Sequence, residues 1–372
     1  MLKKYSLKRY NFRLLIFVLL LASIGVVVIG SATGLATYEK KQVMGIAVGL
    51  VGMLIISLVD YNLILKFYWV IYLINIVLLV LVKIPGVGKE VNGATRWIEI
   101  VEDTISIQPS EFAKVFIILF LAKHLGANKD KINTFKFLAI TAILVLIPLG
   151  LIAIEPDLST TILTIGIILI ILYVSKLSYK IIAGALLVCV PIAAGLIIYI
   201  QQPNQKLLKD YQVQRIMAFV EPDKYDNGRY QQEYSLLAIG SGQLNGKGLY
   251  NDDVSSVKNG NFISEPQTDF IFAVVGEELG FIGGCTILIL LVLIVLECII
   301  TAIRANDLTG RLIAIGIGAM ITLQTFINIG VATKLLPNTG VPLPFVSYGL
   351  SSLLSMFGSM GFIINIGLHE RK

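Results

Sequence analysis

Charge is what this sequence has least of, and the shortage indicates where the protein resides. Only 15% of its 372 residues are charged, whereas 56% are hydrophobic and the mean hydropathy is +0.83. A soluble globular chain carries roughly 25% charged residues, so this composition predicts a protein that lies in a lipid bilayer. The net charge of +6 could suggest a nucleic-acid partner. The Lys and Arg residues gather instead beside apolar runs, as membrane orientation requires, so no nucleic-acid partner is predicted.

Metal-ligating and redox-active residues are also scarce. The chain has two histidines, His124 and His369, and no Cys or carboxylate stands at ligand spacing around them, which argues against a zinc site. Each of the three cysteines, Cys189, Cys285 and Cys298, lies inside an apolar run and is interpreted as a small buried hydrophobe. No cofactor is evident from these residues.

A nucleotide-binding motif is missing as well. The segment GSGQLNGKG, residues 240–248, lacks the GxxxxGK pattern followed by Ser or Thr, although its flexible backbone amides are of the kind that hold anions. No helical repeat, low-complexity tract or soluble domain is visible. A sugar or phosphate donor must therefore arrive by another route, and a donor carried in the membrane would suit this chain.

Long apolar runs are abundant, and they define the architecture. Ten of them reach the length of about 17–25 residues that a helix needs to cross a bilayer. The predicted spans are 12–33, 42–59, 64–83, 110–126, 134–154, 158–175, 178–200, 276–302, 309–333 and 346–368. The first follows a basic segment, as in a signal peptide, but its length and the nine further spans favour a retained helix. The predicted fold is all-α: one polytopic membrane domain over residues 1–372 with about ten transmembrane helices.

The placement of charge orients these spans. With the N-terminus inside, the inner segments hold more of the basic residues than the outer ones, and most acidic residues fall outside. Both termini are then cytoplasmic. We therefore expect a multi-pass protein of the cell membrane.

Three outer segments are unusual, and they place the polar chemistry on the outer face. Residues 84–109 and 201–275 are too long to be simple connectors, and the second forms one large extracytoplasmic loop. Residues 334–345, KLLPNTGVPLPF, contain three prolines and a glycine that forbid a continuing helix. Irregular backbone at membrane depth must line a cavity or be buried in protein.

A carboxylate stands where the large loop turns back into the membrane. Asp269 lies in QTDFIFAVVGEELGFIGG, and a carboxylate at such a wet boundary can act as a general base. The competing interpretation is a helix N-cap, a position that Asp favours. Glu277 and Glu278 follow about two turns later, and spacing alone does not separate helix-face residues from cavity ligands.

Two further segments carry candidate substrate-binding residues. In QPSEFAK, Glu111 and Lys114 lie three residues apart on one helix face, where they form a structural salt bridge or leave Lys114 to reach a phosphate. In NGATRWIEI, Arg96 and Trp97 stand together, although a Trp near the interface is often only an anchor.

Other candidates lie in outer loops. Asp157 belongs to Glu155-Pro156-Asp157, a short turn between two spans that could also be simply solvated. Arg215 and Lys247 supply positive charge in the large loop.

Five ordered segments resemble a known family. They are NGATRWI, QPSEFAK, EPDLST, QTDFIFAVVGEELGFIGG and LLPNTGVPLPFVSYG, and together they resemble the SEDS family (shape, elongation, division and sporulation) from the first span to the last. VPLPFVSYG is more similar to the RodA branch than to FtsW. Known members are peptidoglycan glycosyltransferases that polymerise lipid II outside the cytoplasmic membrane with a class B penicillin-binding protein. The resemblance implies the same substrate, partner and lipid environment here.

The resemblance also implies roles for residues. Asp269 matches the essential aspartate of the family's TDF motif, and four candidates match family positions: Trp97, Glu111, Lys114 and Asp157.

The sequence departs from the family pattern at three positions. Gln267 stands where a His often precedes TDF, which weakens any role for that His. Gln243 replaces the second Gly of AIGSGG and Leu350 replaces a Gly after SYG, and both are expected to change loop geometry only.

These observations combine into a mechanism and two rivals. Polymerisation needs one base and positive charge at the leaving diphosphate, so Asp269 is the predicted base. Lys114 or the loop residues Arg215 and Lys247 are predicted to face the diphosphate, and a divalent cation (Mg or Mn) stays open. A flippase for lipid-linked precursors and a scaffold for a penicillin-binding protein are the alternatives. Elongation, division and sporulation roles also stay open.

Overall fold

The structure, a computed structural model, describes residues 10–91, 94–101, 105–155, 157–184, 226–251 and 262–369, together with positions 187, 191, 195, 199, 256 and 260. Over these residues the protein is predominantly helical, which confirms the predicted fold class. The helices are α1 Phe12–Thr33, α2 Ala36–Leu58, α3 Tyr61–Ile64, α4 Tyr68–Leu81, α5 Pro109–Ala127, α6 Phe135–Ile154, α7 Leu158–Val174, α8 Asp226–Ser241, α9 Ile271–Arg304, α10 Leu308–Ala332 and α11 Leu350–Leu368. Two 3₁₀ turns, Leu65–Phe67 and Lys129–Lys131, complete the set.

The described helices match nine of the ten predicted spans. Seven are long and apolar enough to cross a bilayer, with α3 and α4 counted together as Tyr61–Leu81. The other two are α5, at the fourth predicted span, and α7, a shorter apolar helix at the sixth. The predicted span 178–200 lies largely outside the described residues.

Two predicted helix starts are displaced for physical reasons. α2 begins at Ala36 instead of residue 42, because the polar residues Glu39, Lys40 and Lys41 are good helix formers that extend the apolar run. The last helix begins at Leu350 instead of residue 346, because the irregular segment before it continues to Gly349. Hydropathy therefore missed the polar start of α2 and included four residues before α11 that are not helical.

Small residues allow α2 and α11 to pack closely. A Cβ atom on Gly45 or Gly49 of α2 would meet Leu350 or Phe357 of α11 at 2.9 and 2.8 Å. In a bilayer, association of this kind depends on close van der Waals packing, since lipid tails are as apolar as the helix surfaces. α2 and α11 therefore form one packed unit, although they are far apart in the sequence.

A small β-sheet covers part of the outer side, which sequence analysis did not predict. Strands β1 Gly88–Val91, β2 Ala94–Val101 and β3 Ile105–Ile107 form an antiparallel sheet in the order β1-β2-β3. Lys89 pairs with Trp97, and Ile98 pairs with Ile107. The alternating, β-branched sequence of β2 explains the strand. The long outer segment 84–109 is therefore largely ordered strand.

The proline-containing segment before α11 is buried without being helical. Val341, Leu343, Phe345 and Val346 are almost completely buried, and Asn328 Nδ2 donates to the Val341 carbonyl at 2.8 Å. This confirms the expectation that the irregular backbone would be buried in protein.

Candidate active site

Asp269 lies half-buried just before α9, where the backbone of residues 267–269 is held by α10 and by the irregular segment before α11. Asn328 Nδ2 of α10 donates to the Asp269 carbonyl at 2.9 Å, and Ser347 Oγ donates to the Thr268 carbonyl at 2.7 Å. The Tyr348 amide donates to the Gln267 carbonyl at 2.9 Å. The position of the carboxylate is thus fixed by backbone hydrogen bonds from distant parts of the chain.

The Asp269 side chain faces a glycine in the irregular segment. A Cβ atom on Gly340, whose φ is +70°, would stand 3.1 Å from Asp269 Oδ2. The neighbouring Thr339 carbonyl accepts from Ser159 Oγ of α7 at 2.5 Å. The N-cap position of α9 falls on Phe270, one residue beyond Asp269, so the capping interpretation of Asp269 loses its geometric basis.

A cleft of about 430 Å³ lies beside the residues that directly precede Asp269. Thr268, which directly precedes Asp269, belongs to its wall, as does Trp97 of β2. The full lining is Tyr38, Lys40, Lys41, Gln42, Met44, Trp97, Ser106, Glu265, Gln267, Thr268, Tyr348, Gly349 and Leu350. The cleft therefore combines aromatic rings, amides and positive charge, which are the groups that hold a sugar phosphate.

Lys40 and Lys41 are cleft residues that sequence analysis missed. Neither forms an ion pair within the described part of the chain, and Gln42 beside them is anchored by a bond from its Nε2 to the Ser347 carbonyl at 3.3 Å. A signal was present, because adjacent lysines on the outer side run against the tendency of basic residues to stay inside.

The pair Glu111 and Lys114 is buried at the start of α5. Lys114 Nζ lies 2.7 Å from Glu111 Oε1, and the Lys114 side chain is only 1% exposed. This geometry favours the structural salt bridge over a lysine that reaches into open space.

The turn between α6 and α7 brings Arg96 and Asp157 to one place. Arg96 Nε donates to the Glu155 carbonyl at 3.2 Å, and Arg96 is not among the cleft residues, because neighbours in a strand point to opposite faces. Asp157 accepts from the Thr160 amide at 3.1 Å, which caps α7, and from Gln108 Nε2 at 3.3 Å. Both residues therefore hold the turn between the helices.

Glu155 of this turn is completely buried. Within the described residues, neither of its carboxylate oxygens has a hydrogen-bond partner. Burial raises the pKa of this carboxyl to about 8, against the opposing charges of Lys83 and Arg96, while Asp157 adds to the rise. The turn is thus a tightly packed outer element and not the solvated one that the sequence also allowed.

α9 is broken at Gly280, and the large loop closes over the break. Gly280 has φ 64° and ψ −162°, which separates a short helix, residues 271–279, from the long remainder. The amides of Lys247 and Gly248 donate to the carbonyls of Glu277 and Glu278 at 2.9 and 3.0 Å. We call residues 242–248 the clasp. Its amides at 247 and 248 are used inside the protein.

The clasp also accepts hydrogen bonds from the backbone on the other side of the break. The amides of Phe281 and Ile282 donate to the carbonyls of Gln243 and Leu244 at 2.8 and 3.2 Å. Gln243, which stands where the family has a glycine, adopts a positive φ of 50° there. The departures Gln267 and Leu350 both line the cleft.

The charged side chains of Lys247, Glu277 and Glu278 at the break each form an ion pair or a hydrogen bond. Lys247 Nζ lies 2.9 Å from Glu277 Oε1, and Ser31 Oγ of α1 donates to Glu278 Oε1 at 2.7 Å. Lys247 therefore lies against Glu277 and not in the cleft. The remaining predicted ligand, Arg215, lies outside the described residues.

A metal site is not formed by the side chains that the structure describes. No three of their His, Cys, Asp or Glu side chains gather closely enough to hold an ion. The divalent cation stays a prediction.

Comparisons with known proteins agree over nearly the whole chain. A family model for cell cycle proteins named after FtsW, RodA and SpoVE matches residues 12–372. Stage V sporulation protein E of Bacillus subtilis is 37% identical, with 96% of this chain and 97% of that protein covered. Peptidoglycan glycosyltransferase MrdB of Escherichia coli K12 is 34% identical over 96% of this chain and 93% of its own.

A solved structure shows the same fold. A chain from a peptidoglycan synthase complex, described as coordinating polymerization and crosslinking, superposes with a TM-score of 0.77 at 26% identity. The match covers 96% of this chain and 97% of that one. Because a sporulation protein and a glycosyltransferase both match, preference for the RodA branch stays a prediction.

Proposed function

The chain belongs to the FtsW, RodA and SpoVE family, and we propose that it is a peptidoglycan glycosyltransferase that polymerises lipid II at the outer face of the cytoplasmic membrane. The observation that carries this proposal is the half-buried Asp269, whose backbone is held by α10 and the irregular segment before α11 beside a basic, aromatic-lined cleft. We take residues 1–372 as one SEDS-type integral membrane domain, and the reaction as inverting, with β-1,4 linkages formed.

Asp269 serves as the general base. It takes the proton from the 4-hydroxyl of one sugar while that oxygen attacks the anomeric carbon of the other. The new carbon–oxygen bond forms as the bond to the lipid diphosphate breaks, and the diphosphate leaves with the electron pair. A carboxylate suits this task because proton removal in the transition state typically contributes about 10²–10⁴-fold in rate.

Lys40 and Lys41 bind the diphosphate, a role that sequence analysis had predicted for other basic residues. Lys114 and Lys247 are each held by a buried carboxylate, whereas Lys40 and Lys41 line the cleft. Positive charge that is already in place stabilises a leaving anion without reorganisation during the reaction. Trp97 offers its ring to a sugar face, and Glu111, Lys114, Arg96 and Asp157 support the surrounding helices and sheet.

A class B penicillin-binding protein, a transpeptidase, is the proposed partner. The solved relative belongs to a synthase complex of polymerization and crosslinking, which supports a partner of this kind. With both termini cytoplasmic, the cleft faces outward, where lipid II reaches it from the membrane.

The test is polymerisation of lipid II by purified full-length protein. Wild-type protein should form glycan strands, and Asp269→Asn should lower kcat by at least about 100-fold, because a neutral amide cannot accept the proton. Asp130→Asn, in the inner turn between α5 and α6, is the matched control and should retain activity.

Three outcomes would contradict the assignment. Normal polymerisation by a folded Asp269→Asn protein would overturn the base. Lipid II translocation by wild-type protein without any strands would favour the flippase. Loss of penicillin-binding protein binding in Asp269→Asn, together with inactive wild-type protein, would favour the scaffold.

A further inference from the structure

The short helix of residues 271–279 connects the clasp to Asp269. Residues 271–278 are all buried, so this helix lies inside the protein between two fixed ends. Its first end carries Asp269 and the hydrogen bonds from Asn328, Ser347 and Tyr348. Its second end stops at Gly280, where only the clasp replaces the interrupted helical hydrogen bonds.

We propose that the ion pair between Lys247 and Glu277 locks the clasp onto this helix and thereby positions Asp269 for the reaction. Lys247 is then a positioning residue and not a ligand of the substrate. The inference rests on the proposed function, since it concerns the geometry of the same base.

Glycines give the clasp its close fit. A Cβ atom on Gly242 would stand 1.9 Å from the Gly276 carbonyl oxygen, and one on Gly246 would stand 2.1 Å from that of Glu278. A Cβ atom on Gly280 would stand 2.3 Å from the Gly246 amide nitrogen. The two backbones are in direct contact, so a small displacement of the clasp must displace the helix.

The ion pair is the side-chain lock on this contact. The Glu277 side chain is only 2% exposed and the Lys247 side chain 24% exposed, so their attraction is little screened by solvent. Lys247→Glu would replace this attraction with repulsion between two carboxylates, one of which is buried. The clasp is therefore expected to open, and the end of the helix that lies far from Asp269 is then no longer held.

A positioning role predicts an effect on turnover and not on substrate binding. We expect Lys247→Glu and Glu277→Lys each to lower kcat for lipid II by about 10–100-fold with KM changed less than about twofold, since a misplacement of about 1 Å can cost 100-fold. The double swap should recover about tenfold over either single variant, and Lys247→Arg should stay within about threefold of wild type, because both restore the attraction. All are measured on the full-length chain.

The matched control is another ion pair, between Lys334 and Glu233. Lys334 Nζ lies 3.0 Å from Glu233 Oε1, at a more exposed site away from the helix break. Lys334→Ala should leave kcat within about twofold of wild type, because exposed pairs contribute little.

Two kinetic results would overturn the proposal. If Lys247→Glu raises KM and leaves kcat unchanged, Lys247 binds the substrate, as sequence analysis predicted. If the double swap is no more active than the single variants, the pair does not act as a unit.

A second readout separates this proposal from the proposed function. In a chain whose three cysteines are replaced by Ser, Asp269→Cys reports its own surroundings through its rate of modification by a soluble maleimide. Adding Lys247→Glu should change that rate by about threefold or more, because the helix end moves. An unchanged rate refutes positioning, whereas absence of strands from wild-type protein refutes the function alone.

Discussion

At the scale of residues, four lysines of this protein fall into two groups. Lys114 and Lys247 lie against buried carboxylates at 2.7 and 2.9 Å. Lys40 and Lys41 line the cleft and form no ion pair with the residues that the structure describes. The first group therefore contributes to the position of helices, and the second is open to an anionic substrate.

The contrast gives a prediction for Lys114 and Lys41. Lys114→Met should lower the free energy of unfolding by about 3–5 kcal/mol, because Glu111 would be left charged and buried. Lys41→Met should leave the unfolding midpoint unchanged and raise KM for lipid II by about tenfold, because one charge at the diphosphate is lost. Thermal unfolding in detergent and polymerisation kinetics measure the two effects.

Controls make the comparison specific. Lys114→Met combined with Glu111→Leu should recover most of the lost stability, and Lys123→Met, on the same helix α5, should cost little. A stable Lys114→Met protein with a raised KM would instead support the hypothesis that Lys114 reaches a phosphate.

At the scale of elements, the irregular segment before α11 brings its backbone close to the Asp269 carboxylate. Its turn at Gly340 places backbone within contact distance of Asp269 Oδ2, and the carbonyl of Thr339 ties the same turn to α7. The prolines that exclude a helix allow the backbone to turn toward the carboxylate at this point.

Gly340→Ala should therefore impair turnover. At φ +70° a Cβ atom costs about 1–2 kcal/mol, and this one would also stand 3.1 Å from the carboxylate oxygen. Gly34→Ala is the matched control, because Gly34 has φ +61° and nothing within 4 Å of the added atom. Both variants should lose similar stability, and only Gly340→Ala should lose kcat. Equal kcat values for Gly340→Ala and Gly34→Ala would show that contact between residue 340 and Asp269 does not affect turnover.

At the scale of the whole molecule, sequence predicted the spans well and their outer connections poorly. Apolar runs depend on local composition, so nine described helices fall at predicted places. The clasp could not be foreseen, because Lys247 meets Glu277 only through the break at Gly280, and a glycine inside an apolar run does not by itself predict a break. Likewise, Lys40 joins Trp97 at one cleft only once the sheet and α2 are packed.

The predicted orientation can be tested on intact cells. In a background without the native cysteines, Glu90→Cys in β1 should react with an impermeant thiol reagent, because the sheet faces outward. Lys129→Cys, in the turn after α5, should react only after the membrane is permeabilised. The reverse pattern of labelling would invert the topology and place the cleft in the cytoplasm.

The packing of α11 on α2 bears on how the protein is made. The wall of the cleft joins Lys41 to Leu350, about 300 residues later in the chain. At a synthesis rate of about 5–20 residues per second, the ribosome needs roughly 15–60 s to add that stretch. Until α11 has been inserted, the Gln267 and Thr268 carbonyls lack their bonds from Tyr348 and Ser347. We therefore expect a nascent chain to be inactive until α11 has been inserted.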